Sequence, residues 1–329
     1  MKSQDAQIIG VDVGGTKVAA GLVNSSGGIG RQTRVPMIAT EAAAALSAVV
    51  SAIDAVRQEA GEFLSPSPLI SGIGICAPGP LNPRTGVVVN PPNLPAWRNF
   101  PLAHEISERY GIPVRIDNDG NAAALAEALW GAGQDYKNVF CTTIGTGIGV
   151  GIVCNRRIYH GRTGAAGEGG HMTIDYRGPR CGCGKLGCIE AHASGPAIAR
   201  RAADKIRAGE PSLVLDYAEG CPDRITSEMV GQGYAAGDPL ANEILQQTAE
   251  YLAIWLGNII DLLEPDVIII GGGAGAMLRP FFNSIHDRLP TWCVNSQCRE
   301  VPLIPANYGA DAGIAGGAAL CRADTGIRL

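Results

Sequence analysis

Three short runs in this chain carry residues whose types and spacing could do chemistry. The first is Asp12-Val13-Gly14-Gly15-Thr16-Lys17. Two glycines at a turn expose backbone N–H groups, and Thr16 and Lys17 add a hydroxyl and a positive charge. Together they make a cradle for an anion such as phosphate. Asp12, at the end of the preceding apolar run, can hold Mg²⁺ directly or through water. A glycine hairpin with a satisfied aspartate is the plainer reading, and this run alone does not choose between them. A second turn of the same type, Thr143-Ile144-Gly145-Thr146-Gly147-Ile148-Gly149, tips the choice toward phosphate. Two such cradles could grip a phosphate chain from both sides. Neither has P-loop spacing, because no Gly-Lys-Ser/Thr follows four variable residues. Gly271-Gly272-Gly273 comes too late in the chain for a dinucleotide fingerprint. It is read as an adenosine-side contact through Gly272 and Gly273.

The second run, Asp117-Asn118-Asp119-Gly120-Asn121, joins a predicted strand to a predicted helix. Moving a phosphoryl group onto an alcohol needs an acceptor for the hydroxyl proton as the O–P bond forms. Asp119, kept ionised by the positive end of a helix, suits that task, and Asn118 would orient the acceptor molecule. An aspartate here can equally be a helix cap, and this segment by itself favours the cap. The third run is Cys181-Gly182-Cys183-Gly184-Lys185-Leu186-Gly187-Cys188, preceded by His171. One imidazole and three thiolates make a closed tetrahedral set, the pattern of structural zinc. Buried small cysteines or a redox pair are the alternatives, and three thiols so close together argue against both. A closed site leaves no open position, so zinc is given no chemical role. It could brace a loop presenting Glu168, His171 and Glu190 to a polyhydroxylated ligand. Either glutamate alone could equally be a surface ion-pair partner.

The bulk numbers limit what these runs can serve. At 329 residues, with 46% hydrophobic and 17% charged, the chain can build two cores and does not read as disordered. A formal net charge of −5 argues against a general nucleic-acid or anionic-membrane binder. Anionic ligands must then be held locally, by backbone amides and metal. The ten cysteines do not suggest a secreted disulfide scaffold. The polar start, Met1–Gln7, gives no sign of a signal peptide, and the apolar helices carry charges that spanning segments lack. The expected compartment is the cytoplasm.

Elements must hold these residues in place. Gln7–Val13 reads as a buried strand and Val18–Val23 as its return. Thr40 is placed to cap an Ala-rich helix ending at Gly61, and a strand follows at Ile70–Cys76. Leu102–Tyr110 reads as a helix, Pro113–Asp117 as a strand and Ala122–Trp130 as a helix. Then the opening pattern recurs: strand Val139–Ile144, glycine turn, strand Ile148–Val153. Long helices near Ser194–Ala208 and Leu240–Leu263, a strand at Val267–Ile270 and a helix at Asp311–Arg322 complete the chain. The recurrence suggests an internal duplication, and the alternation of strands and helices an α/β fold.

With these motifs assembled, the chain resembles the ROK family of repressors, uncharacterised reading frames and sugar kinases, in particular its bacterial-type glucokinases. The likeness runs over nearly the whole chain. It rests on Asp12–Lys17, Asn90-Pro-Pro-Asn93-Leu-Pro-Ala-Trp97, Asn118-Asp119-Gly-Asn121-Ala-Ala, the Thr143–Gly149 turn, Glu168-Gly-Gly-His171, the cysteine run through Glu190, and Ile269-Ile-Gly-Gly-Gly273. The resemblance implies an α/β, two-lobed actin-like ATPase fold of the hexokinase and ribonuclease H-like type, with a duplicated core and a ligand cleft between lobes. Residues 1–117, with the C-terminal helix of about 311–329 packing back, would form the small lobe, and 118–310 the large one. It implies ATP-dependent phosphorylation of a hexose at its 6-hydroxyl, most simply glucose, with Mg²⁺ and a structural Zn²⁺. Asp119 would be the base, and Asn93, Asn118, Glu168, His171 and Glu190 sugar ligands, the histidine also binding zinc. A homodimer or homotetramer would be the assembly. Fructo-, manno- and N-acetylhexosamine kinases and polyphosphate donors stay open. A sugar-responsive regulator is disfavoured, since only Met1–Ala6 precede the first strand, too few for a helix-turn-helix. Gly169 stands where the family more often has a larger apolar residue, which would loosen the sugar loop.

Overall fold

In the computed structural model of the chain, residues 7–63 and 69–322 are described. Expectations resting on Met1–Ala6 and on the terminal helix beyond Arg322 lie outside them. The apolar, β-branched run at the start forms β1 (Gln7–Val13), which turns into β2 (Lys17–Val23) and β3 (Ile29–Pro36). Helix α1 (Ala42–Phe63) follows, then β4 (Ile70–Ala77), the short β5 (Leu81–Asn82) and β6 (Val87–Val88), α2 (Leu102–Tyr110), β7 (Val114–Asn118) and α3 (Asp119–Leu129). The second half opens on β8 (Val139–Ile144), β9 (Ile148–Cys154) and β10 (Arg157–Ile158). A helical stretch comes next: α4 (Ile189–Ala193), α5 (Gly195–Arg207), α6 (Leu213–Tyr217), α7 (Ser227–Ala235) and α8 (Pro239–Leu263). The chain then runs through β11 (Val267–Gly271), α9 (Gly273–Met277), α10 (Phe282–Trp292), β12 (Leu303–Pro305) and α11 (Ala312–Arg322).

Two five-stranded sheets share one order. The first runs β3-β2-β1-β4-β7 and the second β10-β9-β8-β11-β12. In each, three consecutive strands lie third-second-first, followed by the fourth and fifth. The pairings β1–β2 and β2–β3 are antiparallel, whereas β1–β4, β4–β7 and β11–β12 are parallel. This repeat is the duplication expected from the recurring glycine turns.

By density of contact the described residues divide into one unit of 7–63, 69–139, 151–167 and 307–322, and another of 140–150 and 168–306. In the first, α1 lays Val49, Ala52, Ile53 and Val56 on the sheet, where they join Ile9, Val11, Ile73 and Ile75. Trp97, stacked on Phe100 with centroids 5.1 Å apart, closes that core. In the second, α8 buries Leu252, Trp255, Leu256 and Ile260, and every residue of β11 is buried. Among the described residues no helix is long and apolar enough to cross a membrane.

Helix α1 departs from expectation at both ends. It starts at Ala42 and runs to Phe63, and the amide of Ala45 donates to the carbonyl of Glu41. Glu41, not Thr40, therefore occupies the cap position, and Gly61 lies within the helix. Alanine-rich sequence carries the helix past a single glycine, whose cost is only about 1 kcal/mol.

The other face of the first sheet is covered by α11, and here backbone meets backbone. A Cβ on Gly10 would lie 1.9 Å from the carbonyl oxygen of Ile314, and one on Gly74 would lie 1.7 Å from that of Gly317. On its far side α11 packs on α3, where a Cβ on Gly316 would come within 2.7 Å of the Ala122 carbonyl carbon. Methyl groups cannot fit these gaps without moving helix from sheet. Gly74→Ala is therefore expected to lower the unfolding free energy by about 3 kcal/mol or more in denaturant titration. Gly30→Ala, whose Cβ would meet only the Leu22 oxygen at 3.6 Å, is expected to change it by less than about 0.5 kcal/mol.

Candidate active site

Strand register gathers the acidic residues of the first unit. Asp12 of β1 pairs with Cys76 of β4, and Cys76 with Asp117 of β7. Three neighbouring strands thus end together, and loops leaving their C-terminal ends are where open α/β sheets bind ligands. The β1–β2 turn is closed by the amide of Gly14 donating to the carbonyl of Lys17 at 2.9 Å. Gly15 lies against Asn93, whose carbonyl oxygen a Cβ at Gly15 would approach to 2.9 Å. Asn118 lies beside Gly79. The structure therefore brings Asp12, Gly14–Lys17, Asn93, Asn118 and Asp119 into one unit, on loops leaving one end of its sheet or packed against them.

Asp12 is largely buried among Cys76 and the start of α11. The Cys76 thiol lies 3.5 Å from Asp12 Oδ1 and 3.3 Å from the carbonyl of Gly313. Burial pushes the Asp12 carboxyl above its ordinary range, against the pull of Cys76, Lys17 and Arg34. A divalent cation would offset that desolvation, which is the chemistry wanted of a phosphate-site carboxylate. Burial likewise pushes the Cys76 thiol well up, so it stays protonated and serves as a donor.

The cap question at the head of α3 has a structural answer. Asn118 is the N-cap: its backbone is extended and its Oδ1 accepts the amide of Gly120 at 2.9 Å. Asp119 is the first helical residue and is exposed, with Oδ1 also accepting from Gly120 at 2.8 Å. One residue ends the strand and caps the helix while the next presents its carboxylate outward.

In the second unit the Cys run folds into a knot of turns. Gly187, at φ 66°, passes so close to Asp175 that a Cβ would lie 1.6 Å from its carbonyl oxygen. The donor atoms of His171, Cys181, Cys183 and Cys188 all lie within 4.8 Å of one another. Cys181 Sγ is 3.6 Å from His171 Nδ1, and Cys183 Sγ is 3.6 Å from Cys188 Sγ. Tetrahedral zinc with bonds of about 2.0–2.3 Å has ligand–ligand edges of about 3.3–3.8 Å, and the two 3.6 Å separations match such edges. Glu190 stands next to this cluster, with Oε1 3.8 Å from His171 Nδ1. Its Oε2 accepts the amide of Ile148, at the start of β9, at 2.9 Å. Glu168 and His171 bracket one helical turn, the amide of His171 donating to the carbonyl of Glu168. The loosening expected from Gly169 is not seen. Gly169 is buried against Val150, and its carbonyl accepts the indole N–H of Trp255 at 3.1 Å.

Beside the second turn opens a pocket of about 530 Å³, lined among others by Gly145, Thr146, Gly195, Thr226, Ser227 and Gly273. The carbonyl of Gly145 accepts the amide of Gly195, tying the turn to the head of α5. Ser194 caps α5 and Thr226 caps α7, so two helix N-termini, electropositive by their dipoles, border the space. Gly145, Thr146 and Gly273 are thus brought together around one pocket. Gly147 lies against Glu190 instead, and Gly272 makes the turn that passes β11 beside Ile144. Sequence reading did not identify the α5 and α7 residues. Their only local signal was a pair of helix caps, which most helices carry.

The ROK family model matches residues 8–324. The chain belongs to the ROK family. A glucokinase of Streptomyces coelicolor is 35% identical over 317 residues, covering 95% of this chain and 97% of that protein. A solved ROK family glucokinase from Streptomyces griseus, in complex with glucose and AMPPNP, superposes with a TM-score of 0.80 at 32% identity, covering 96% and 99% of the two chains. A ROK family transcriptional regulator, a homologue of the E. coli MLC protein, superposes at 0.86 with 31% identity, covering 97% of this chain and 78% of that one. The fold is the actin-like ATPase fold that the family resemblance implied.

The cap assignment can be checked directly. Asn118→Ala removes the capping acceptor of the Gly120 amide, leaving only Asp119 Oδ1 to accept it, and is expected to lower stability by about 1 kcal/mol in chemical unfolding. Asp119→Ala, which leaves that cap in place, is expected to cost clearly less.

Proposed function

We infer that this chain is an ATP-dependent hexose kinase that converts glucose to glucose 6-phosphate. What carries the reading is the placement of Asp12 near the end of β1 and of Asp119 directly after β7 of the same sheet, within a family in which a glucokinase matches 95% of the chain. A phosphate-holding turn and an exposed carboxylate at a helix head are what phosphoryl transfer to an alcohol requires.

Asn93, Asn118, Glu168, His171 and Glu190 hold the sugar hydroxyls, and the pocket at Gly145, Thr146 and Gly273 takes the nucleotide. The Gly14–Lys17 turn and the Gly145–Gly147 turn donate amides to its phosphates. As the O6–Pγ bond forms and the bond to the leaving ADP breaks, Asp119 accepts the proton of the sugar 6-hydroxyl. Mg²⁺, held by Asp12 directly or through water, would neutralise charge on the phosphates. Backbone amides cost no reorganisation when that charge shifts, which suits them to the task. Zinc on His171, Cys181, Cys183 and Cys188 would be structural, fixing the ring of His171 and the loop that carries Glu190. The family resemblance further supports a cytoplasmic homodimer or homotetramer.

The likeness to a transcriptional regulator supports a second reading, a sugar-binding protein without turnover. ADP release with a panel of hexoses, including fructose, mannose and N-acetylated hexosamines, and with ATP or polyphosphate as donor separates the two. Glucose with ATP is expected to give the highest kcat/KM, and no turnover with any pair would remove the kinase reading. Asp119→Asn is expected to lower kcat by about 10²–10⁴-fold with the KM for glucose little changed. Near-normal turnover in that variant would take Asp119 out of the mechanism. Elemental analysis is expected to find one zinc per chain, lost in Cys183→Ser together with thermal stability. A metal-free native protein of normal stability would refute the zinc assignment.

A further inference from the structure

Asp117 and His160 form a pair that none of the roles above uses, the carboxylate buried and the imidazole partly exposed. Asp117, the residue before the Asn118-Asp119 turn, is 1% exposed. Its Oδ2 lies 2.6 Å from Nε2 of His160. Its Oδ1 accepts the amide of Asn118 at 2.7 Å and Nδ2 of Asn121 at 3.0 Å. This one carboxylate therefore holds both flanks of Asp119, and His160 is the partner that reaches it from outside the β7–α3 segment. His160 has a second bond: its carbonyl accepts the amide of Ala166 at 3.2 Å, closing a loop over residues 160–166. That loop leans on the β5 segment, where a Cβ at Gly164 would approach Pro83 Cδ to 3.1 Å. Two residues beyond Ala166 the chain reaches Glu168.

We propose that His160 is a positioning residue for phosphoryl transfer, its bond to Asp117 fixing where the turn presents the Asp119 carboxylate. Removing the imidazole leaves Asp117 Oδ2 buried without a donor, a costly state that the turn can relieve only by moving or admitting water. Because Asn118 and Asn121 share the same carboxylate, that movement passes to both sides of Asp119. A misplacement of about 1 Å at a reacting group costs on the order of 10²-fold in rate. The same bond ties the base-bearing turn to the loop over residues 160–166. The inference rests on the kinase reading above, and its test is built to fail separately.

The experiment compares His160→Ala and His160→Gln in the full-length chain, measuring kcat, the KM for glucose and for ATP, and amide hydrogen exchange. Tyr110→Phe serves as a destabilised reference, since its hydroxyl bonds Asp54 on a different helix, at 2.8 Å. His160→Ala is expected to lower kcat by about 10–100-fold with the KM for ATP within about threefold, and to speed exchange at residues 118–121. His160→Gln, whose amide can still donate to Asp117, is expected to recover most of kcat. Unchanged kcat in His160→Ala, equal losses in the Ala and Gln variants, or a like loss in Tyr110→Phe would each overturn the proposal. Should the wild-type chain phosphorylate no hexose, the kinase reading falls. Exchange at 118–121 then decides alone whether His160 holds the turn, and an unchanged pattern in His160→Ala rejects it.

Discussion

The contact on which the first unit depends is that of α11 with β1 and β4, made without side chains. Gly10 and Gly74 lie under the carbonyls of Ile314 and Gly317, so helix and sheet approach to the limit of backbone packing. That closeness has a chemical consequence at the strand ends. Gly313, at the head of α11, lies where a Cβ would come within 2.3 Å of the Asp12 carboxyl carbon. The helix thus supplies the wall that desolvates Asp12, and burial is what pushes that carboxyl upward. A larger residue in this stripe would lift the helix, rehydrate Asp12 and let its carboxyl fall back toward the ordinary range. Core packing and site electrostatics are here the same constraint.

The shared strand order explains why functional residues recur at equivalent places. Asp12 is the penultimate residue of β1 and Thr143 that of β8, and each is followed by a glycine turn. A parallel arrangement sends the loops after the first, fourth and fifth strands to one end of a sheet. Duplication therefore duplicates a ligand-facing rim, and divergence can assign the two rims different tasks. The first carries the carboxylates. The second carries the amide-lined turn and the helix heads around the 530 Å³ pocket.

How much of this was legible in the sequence depended on range. Motifs whose parts lie within a few residues were readable: both glycine turns, the strand-to-helix run at Asp117–Asn121, and the cysteine run with His171. Alternating apolar patterns gave most of the strands and long helices, because burial on one or both faces dictates them. What could not be read was pairing across the chain. His160 is a single histidine in a glycine-rich stretch, with nothing beside it to suggest Asp117. Glu127, within α3, is 1% exposed and accepts the amides of Ala132, Asn307 and Tyr308, the last two far off in sequence. It holds the chain entering α11 against the end of α3. Boundary errors had a local cause, as at Glu41, where capping depends on backbone conformation more than on residue type.

Gly169 shows why family expectation and physical outcome can part. A missing side chain in a loop suggests looseness if the loop is imagined in solvent. Here the residue is buried, its neighbour Val150 already fills the space a side chain would take, and Trp255 donates to its carbonyl. The loop from Glu168 to His171 is therefore held at its middle by a core tryptophan and at its end by the cysteine cluster. Glu190 continues the chain of constraint, reaching from that cluster to the amide of Ile148 beside the second glycine turn. On the proposed reading, a sugar-binding carboxylate and a phosphate-binding turn share one hydrogen bond. Loss of metal would then disturb both ligands' sites through Glu190, although zinc itself touches neither reacting atom.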